Sequence, residues 1–110
     1  MIKSKINISG FKIGTAENRK GLTGVTVILA PDGGATAGVD VRGCAPGTRE
    51  TDLLDPRKTV QKIHAVVLSG GSAFGLEAAS GCVKYLAEQG VGFPIGNVCV
   101  PIVCSAVLFD

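Results

Sequence analysis

The sequence has very few aromatic side chains and almost no histidine. Among its 110 residues there is no Trp, one Tyr, four Phe and a single His. One His and four cysteines without a C-x-x-C pair (Cys44, Cys82, Cys99 and Cys104) give no metal-ligand spacing. We therefore expect no metal ion, and reduced, structural thiols in a reducing, cytoplasmic compartment.

Strong net charge and long apolar runs are also missing. The net charge of +2 gives no basic face for phosphates, so nucleic acid is not expected as a partner. The run from Val98 to Phe109 is interrupted by Pro101 and Ser105 and falls short of the roughly 20 residues of a membrane span. No apolar stretch of about 7–15 residues follows the basic start, so a secretory signal is not expected either.

The strand signals are clear in the middle of the chain and weak at its start. Ile2, Ile6 and Ile8 alternate only weakly. Apolar residues then alternate from Val25 to Leu29, and Pro31-Asp32-Gly33-Gly34 supplies a turn, which predicts a hairpin with Ala35–Val41 as the returning strand. Two apolar runs predict buried strands: Ala65 to Leu68 as one, and Val98 to Phe109 as one or two.

One helix stands out after the glycine segment Ser69-Gly70-Gly71-Ser72. Four apolar residues spaced 3, 4 and 3 apart form one stripe: Leu76, Ala79, Val83 and Leu86. Gly90 is the expected C′ residue. We predict Ser72 as the N-cap and Tyr85 as a core residue.

The apolar pattern looks unfinished at its end. A buried strand needs neighbours and cover on both faces, yet the Val-Leu-Phe run lies within about two residues of Asp110, and chain termini usually lie at the surface. Residues 1–110 are therefore predicted to be an incomplete single domain of the α+β class, the N-terminal portion of a larger unit.

The glycine segment is the first candidate site. Glycines allow close backbone approach, and the first N–H groups of the following helix could face a phosphate or a developing oxyanion. The spacing does not match a P-loop, G-x-G-x-x-G or G-x-S-x-G pattern. Ser72 is not expected to be a nucleophile, because its only potential imidazole base, His64, lies at the far end of the preceding strand. His64 is predicted to be a strand-end histidine.

The second polar cluster is Thr48-Arg49-Glu50-Thr51-Asp52. Arg49 could hold a substrate terminus or a neighbouring subunit, because arginine pairs bidentately with carboxylates. A solvated turn capped by Thr48 or Thr51 is the simpler interpretation. Asp40 and Arg42 are expected to form a surface ion pair.

Four segments together resemble the N-terminal third of the L-aminopeptidase/D-esterase family, also called DmpA-type or β-peptidyl aminopeptidases. They occur in the family's order and cover most of residues 20–110: Gly21-Leu22-Thr23-Gly24-Val25-Thr26, Ala45 to Leu54, Leu68 to Leu76, and Val100-Pro101-Ile102-Val103 running into Ala106-Val107-Leu108-Phe109-Asp110. Cys104 stands where the family often has Pro.

The resemblance implies an αββα sandwich of the N-terminal-nucleophile-hydrolase type. It also implies a precursor that cleaves itself into α and β chains, assembles into homo-oligomers, and releases N-terminal residues from peptides, amides or esters without a cofactor. The nucleophile would be the Ser or Thr at the new β-chain N-terminus, which no segment of these 110 residues matches. This α-chain portion would contribute the substrate-pocket candidates Gly70, Gly71, Ser72, Ala73, Phe74 and Arg49.

Two alternatives stay open from the residues themselves. One is a small anion-binding module that uses the Gly70–Ser72 turn and helix N-terminus. The other is the α-type subunit of a split enzyme, whose β-type partner is a separate chain.

Overall fold

A computed structural model of the protein describes residues 7–110, so Ile2 and Ile6 of the weak alternation lie outside the described residues. The elements in chain order are β1 (Lys12–Asn18), β2 (Thr23–Leu29), β3 (Thr48–Arg49), a 3₁₀ turn (Asp52–Leu54), β4 (Ala65–Ser69), a 3₁₀ segment (Ser72–Glu77), α1 (Ala78–Glu88), β5 (Phe93–Ile95), β6 (Val98–Val100) and β7 (Val103–Val107). The predicted α+β class is confirmed.

Five strands form one sheet in the order β1-β2-β4-β7-β3, and β5 and β6 form a separate two-stranded sheet. The β4–β7 pair is parallel, and the other pairs of the five-stranded sheet are antiparallel. Because parallel neighbours need a crossover, the chain leaves β4, forms α1 over one face of the sheet, and returns in β7.

The core lies between α1 and one face of the sheet. Its buried members are Ala65, Val67, Ala79, Cys82, Leu86 and Val103. Successive strand residues point to opposite faces, so Val66 and Leu68 of β4 face away from the helix. Leu68 is 46% exposed there, and this second face is therefore only partly covered.

The predicted hairpin was wrong in its partner strand. The turn itself forms, with the Gly34 N–H donating to the Pro31 carbonyl at 2.9 Å, but residues 35–41 form no strand beyond an isolated bridge between Ala35 and Ile63. Both edges of β2 are already paired, with β1 on one side and β4 on the other, so no edge of β2 is left for the returning segment.

The predicted helix forms, but its start differs. Residues Ser72–Glu77 are 3₁₀ and the α-helix begins only at Ala78. Ser72 as N-cap was wrong, because Gly71 holds that position without a side-chain cap bond. Gly90 is confirmed as C′. Its N–H donates to the Ala87 carbonyl and the Val91 N–H donates to the Leu86 carbonyl, which are the two hydrogen bonds of a Schellman motif.

The prediction of Tyr85 as a core residue was wrong, since this residue is 49% exposed.

Within residues 7–110, no helix is both long and apolar enough to cross a membrane.

The apolar stretch from Val98 to Phe109 divides into two different strands. β6 is exposed, whereas residues 103–105 of β7 are buried in the sheet, so the expectation of buried strands is confirmed for β7 only. The thiols divide similarly: Cys82 and Cys104 are buried, as expected of structural thiols, but Cys44 and Cys99 are exposed.

Candidate functional site

The glycine turn lies at one edge of the sheet, where several segments meet. The carboxyl ends of parallel strands meet at the same edge, the usual place for ligands in sheets with such crossovers. Here β4 runs into the Gly70–Ser72 turn and β7 into Leu108–Asp110, while Thr23 and Gly24 begin β2 beside them. We call these residues, with Ser69, the glycine-turn edge.

Each backbone N–H of the turn donates to a different part of this edge. The Gly70 N–H donates to the Gly24 carbonyl at 2.9 Å and the Ser72 N–H to the Leu108 carbonyl at 2.8 Å. Between them, the Gly71 N–H donates to Asp110 Oδ1 at 2.5 Å. An external anion would therefore have to displace Asp110 to reach the Gly71 donor.

The backbone of the turn is constrained. Gly71 and Ser72 have φ values of +89° and +56°, in the left-handed region that Ser adopts only at an energetic cost. A Cβ on Gly75 would collide with the Gly70 carbonyl, and one on Gly70 would collide with Thr23 Oγ1 and Asp110 Oδ2. The two glycines at positions 70 and 75 thus permit the close contacts that shape the edge.

Two grooves flank the turn. One of about 420 Å³ lies on the helix side and is lined partly by Gly70, Gly71 and Phe74. Another of about 340 Å³ lies on the opposite side and is lined partly by Gly70, Leu68 and Asp110. Both volumes fall within the range of small-molecule sites. Phe74 is 92% exposed at the rim.

Arg49 lies away from these grooves and is used structurally. Its Nη1 donates to Ser80 Oγ at 2.6 Å and to the Leu76 carbonyl at 3.3 Å, so it ties β3 to the beginning of α1. Arg49 does not line either groove. The threonines beside it do not cap as expected, because the Thr51 hydroxyl donates to Thr48 Oγ1 at 3.2 Å and makes no side-chain cap bond.

His64 lies at the beginning of β4, which confirms the predicted strand-end position, and its side chain is buried. It is 6% exposed, its Nδ1 accepts the Ile102 N–H at 3.0 Å, and burial lowers its pKa below the ordinary value. β4 separates it from Ser72, and the five residues of a strand span roughly 16 Å at about 3.3 Å each. His64 is therefore placed to support the fold rather than to activate Ser72.

The buried thiol of Cys104 has low reactivity. Burial first, and Glu50 second, raise its pKa to about 11, and its Sγ donates to the Glu50 carbonyl at 3.3 Å. Since the thiolate is the reactive form, Cys104 is not a nucleophile near neutral pH. Over residues 7–110, no group of three His, Cys, Asp or Glu side chains lies close enough to hold a metal ion.

Sequence reasoning did not single out Thr23 or Asp110. Both belong to the segments that carry the family resemblance, but no local pattern suggests a role for either. The Thr23 hydroxyl donates to Asp110 Oδ2 at 3.2 Å across 87 residues, and Gly71 reaches Asp110 across 39. Contacts between residues this far apart in the sequence can be identified only in the folded chain.

Comparison with known proteins gives consistent matches. The model of peptidase family S58 matches residues 5–110. An uncharacterized aminopeptidase of Mycobacterium tuberculosis (strain ATCC 25618 / H37Rv) is 54% identical over 87 residues, which cover 79% of this chain and 25% of the relative. A 6-aminohexanoate-oligomer endohydrolase of Agromyces sp. (strain KY5R) is 36% identical over 106 residues, covering 96% of this chain and 27% of the relative.

The chain spans about a quarter of the length of the curated relatives it matches. The family match extends over nearly all of its residues, including every element of the sheet and the whole glycine-turn edge. The resemblance that four sequence segments indicated is thus confirmed: this chain belongs to peptidase family S58, the L-aminopeptidase/D-esterase family.

Proposed function

We propose that this chain is the N-terminal, α-chain portion of a cytoplasmic aminopeptidase that hydrolyses peptides, amides or esters from their N-terminus. The observation that carries the proposal is the family S58 match over residues 5–110. The names of the relatives, an aminopeptidase and an oligomer endohydrolase, support amide hydrolysis as the reaction class. The nucleophile is the Ser or Thr exposed when the precursor cleaves itself, and it is supplied by residues other than these 110.

The glycine-turn edge is the part of this chain that we assign to the substrate pocket. Gly70, Gly71 and Phe74 line the helix-side groove, and Ser72 and Ala73 complete the turn between them. Loops at the carboxyl ends of parallel strands are held by a rigid scaffold and commonly form ligand sites. Arg49 acts indirectly, by holding the beginning of α1 against β3.

We extend the proposal to the fold, an αββα sandwich of the N-terminal-nucleophile type. A helix layer covers one face of the sheet, while the other face presents partly exposed apolar residues, among them Ile13 at 41% and Leu68 at 46%. A sheet must bury its apolar face against another layer, and a second sheet supplied by the β chain fits that requirement. We also propose assembly into homo-oligomers, which the family resemblance implies.

The proposal is tested with the complete gene product and with the 110-residue chain. The gene product should split into two chains, and mass spectrometry should find Ser or Thr at the new N-terminus. It should then release p-nitroaniline from an aminoacyl p-nitroanilide without added metal. The 110-residue chain should release none, because it lacks the nucleophile.

A matched control mixes the 110-residue chain with the separately produced remainder of its own complete gene product. Turnover should appear only in the mixture. Robust turnover by the 110 residues alone, or a complete gene product that is neither cleaved nor active, would refute the proposal.

The split-enzyme alternative shares this chemistry and differs only in how the gene is organised. The DNA immediately downstream distinguishes the two. An in-frame continuation supports a single precursor, whereas a stop codon followed by a second gene supports separate subunits.

The anion-binding module is disfavoured because the N–H groups of residues 70, 71 and 72 already donate within the chain.

A further inference from the structure

The glycine turn is arranged around a carboxylate that belongs to the chain itself. Asp110 Oδ1 accepts the Gly71 N–H at 2.5 Å, and Oδ2 accepts the Thr23 hydroxyl at 3.2 Å. Both acceptor atoms are thus used, by donors on two different segments. Hydrogen bonds to an ionised group are shorter and stronger than neutral ones, so this side chain links β2, the turn and the end of β7.

The surrounding backbone permits this close contact because residue 70 is glycine. Gly70 is buried, and a Cβ there would meet Thr23 Oγ1 and Asp110 Oδ2. The following residues, Gly71 and Ser72, are held at positive φ. A strained conformation persists only when neighbouring groups fix it, and the Gly71–Asp110 bond is placed to fix this one.

We infer that Asp110 is a positioning residue: its carboxylate is the resident anion of the glycine turn and sets the orientation of Gly70–Phe74 toward the substrate. Asp110 acts through the turn and not on the reacting bond. The inference rests on the proposed function for its kinetic consequence, whereas the contact itself can be measured in any folded form of the protein.

The test replaces Asp110 in the complete gene product. Asp110→Gly leaves the Gly71 N–H without its acceptor and opens a space of carboxylate size. KM for an aminoacyl p-nitroanilide should rise about tenfold, the effect of one charged hydrogen bond, while kcat changes by about twofold or less. Formate should bind in the vacated space and restore KM in a saturable manner. Asp110→Asn should have an intermediate KM, because its Oδ1 still accepts from Gly71.

Asp32→Gly is the matched control, because Asp32 is also exposed but lies in the turn after β2. Its KM should equal that of the wild type with and without formate. An unchanged KM in Asp110→Gly, or an elevated KM that formate does not lower, would overturn the inference while leaving the proposed function intact.

A second readout separates this inference from the proposed function. In amide exchange by NMR, the Gly71 N–H should be protected in the wild type, fast in Asp110→Gly, and protected again with formate. If the wild type shows no turnover, the proposed function fails, and the exchange rate alone decides the role of Asp110. Equal exchange in both proteins would then refute it.

Should Asp110→Gly not fold, Thr23→Val and Thr23→Ser repeat the measurement from the other side. The valine removes the hydroxyl that holds Oδ2, so KM should rise several-fold, and the serine should restore it. A valine variant with wild-type KM would contradict the inference.

Discussion

At each end of the parallel β4–β7 pair, one side chain accepts a backbone N–H, but the two ends differ. At the beginning of the strands, the neutral imidazole of His64 accepts from Ile102 at 3.0 Å. At their carboxyl ends, the carboxylate of Asp110 accepts from Gly71. His64 is buried, whereas Asp110 is exposed.

The His64 end is reinforced by ordinary sheet contacts. The His64 N–H donates to the Ile102 carbonyl at 2.8 Å, and the His64 carbonyl accepts from Ala30 at 2.9 Å. The glycine-turn end instead combines residues at positive φ with exposed apolar side chains such as Phe74 and Phe109. One end holds the strands together, and the other presents a strained, accessible surface, which is the usual division between scaffold and site.

The largest expected effect comes from adding one methyl group at the glycine-turn end. Gly75→Ala should destabilise the protein by about 3 kcal/mol or more, because the new Cβ collides with the fixed Gly70 carbonyl. Thermal and urea denaturation would measure the loss. Gly81→Ala is the matched control: a Cβ there meets nothing within 4 Å, and replacing glycine in a helix should add roughly 0.5–1 kcal/mol.

If Gly75→Ala were tolerated with the stability of the wild type, the tight turn would not be a fixed feature, and the contrast between the two ends would weaken. A Gly81→Ala variant that loses stability would show that the methyl group is harmful for a more general reason.

At the opposite end, the expected effect depends on pH. Burial lowers the pKa of His64 from its ordinary value of 6.5, so below that pH the unfolded chain binds more protons than the folded one. The contribution of His64 to the free energy of unfolding is then fully present above pH 6.5 and is lost as the pH falls. The melting temperature should drop between pH 7 and pH 5, because a protonated Nδ1 cannot accept from Ile102.

His64→Asn tests the cause of that drop. Its Oδ1 can replace Nδ1 as an acceptor but does not titrate, so its melting temperature should vary less over the same interval. His64→Leu should lose about 2 kcal/mol at pH 7, since it leaves the Ile102 N–H without a partner. A His64→Asn variant as sensitive to pH as the wild type would assign the drop to other groups.

The smallest expected effect lies between the two ends, on β7. Ser105 is 2% exposed, and its hydroxyl has no hydrogen-bond partner among the described residues. Ser105→Ala should therefore stabilise the protein by about 1 kcal/mol. Ser69→Ala is the matched comparison and should cost about 1 kcal/mol, because the Ser69 hydroxyl donates to the Gly70 carbonyl at 2.9 Å. Equal shifts in both variants would contradict this interpretation.

The features that sequence reasoning predicted are those that depend on local chemistry. The apolar alternation of β2, the short run of β4, the Gly90 C′ residue and the strand-end position of His64 each follow from neighbouring residues. The 3₁₀ start of the helix does not, because apolar spacing alone does not reveal how closely Gly75 approaches Gly70.

The Ser72 N-cap and the core position of Tyr85 were wrong locally, but the failures that affect the sheet and the candidate site concern pairings over distance. β1 pairs with β2 although all seven of its residues are exposed, so it has little apolar alternation to detect. Residues 35–41 had the better pattern but no free strand edge. Asp110 was missed for a related reason, since its partners Thr23 and Gly71 are remote in sequence.

The position of β7 between β4 and the edge strand β3 has a consequence for biosynthesis. β3 pairs only with β7 in the five-stranded sheet, so its two residues leave the ribosome long before their neighbour does. Until residues 103–107 emerge, β4 has one open edge and β3 has no strand to join. The nascent chain therefore passes through a stage with unpaired, aggregation-prone strand edges, and a ribosomal pause before residue 103 would prolong it.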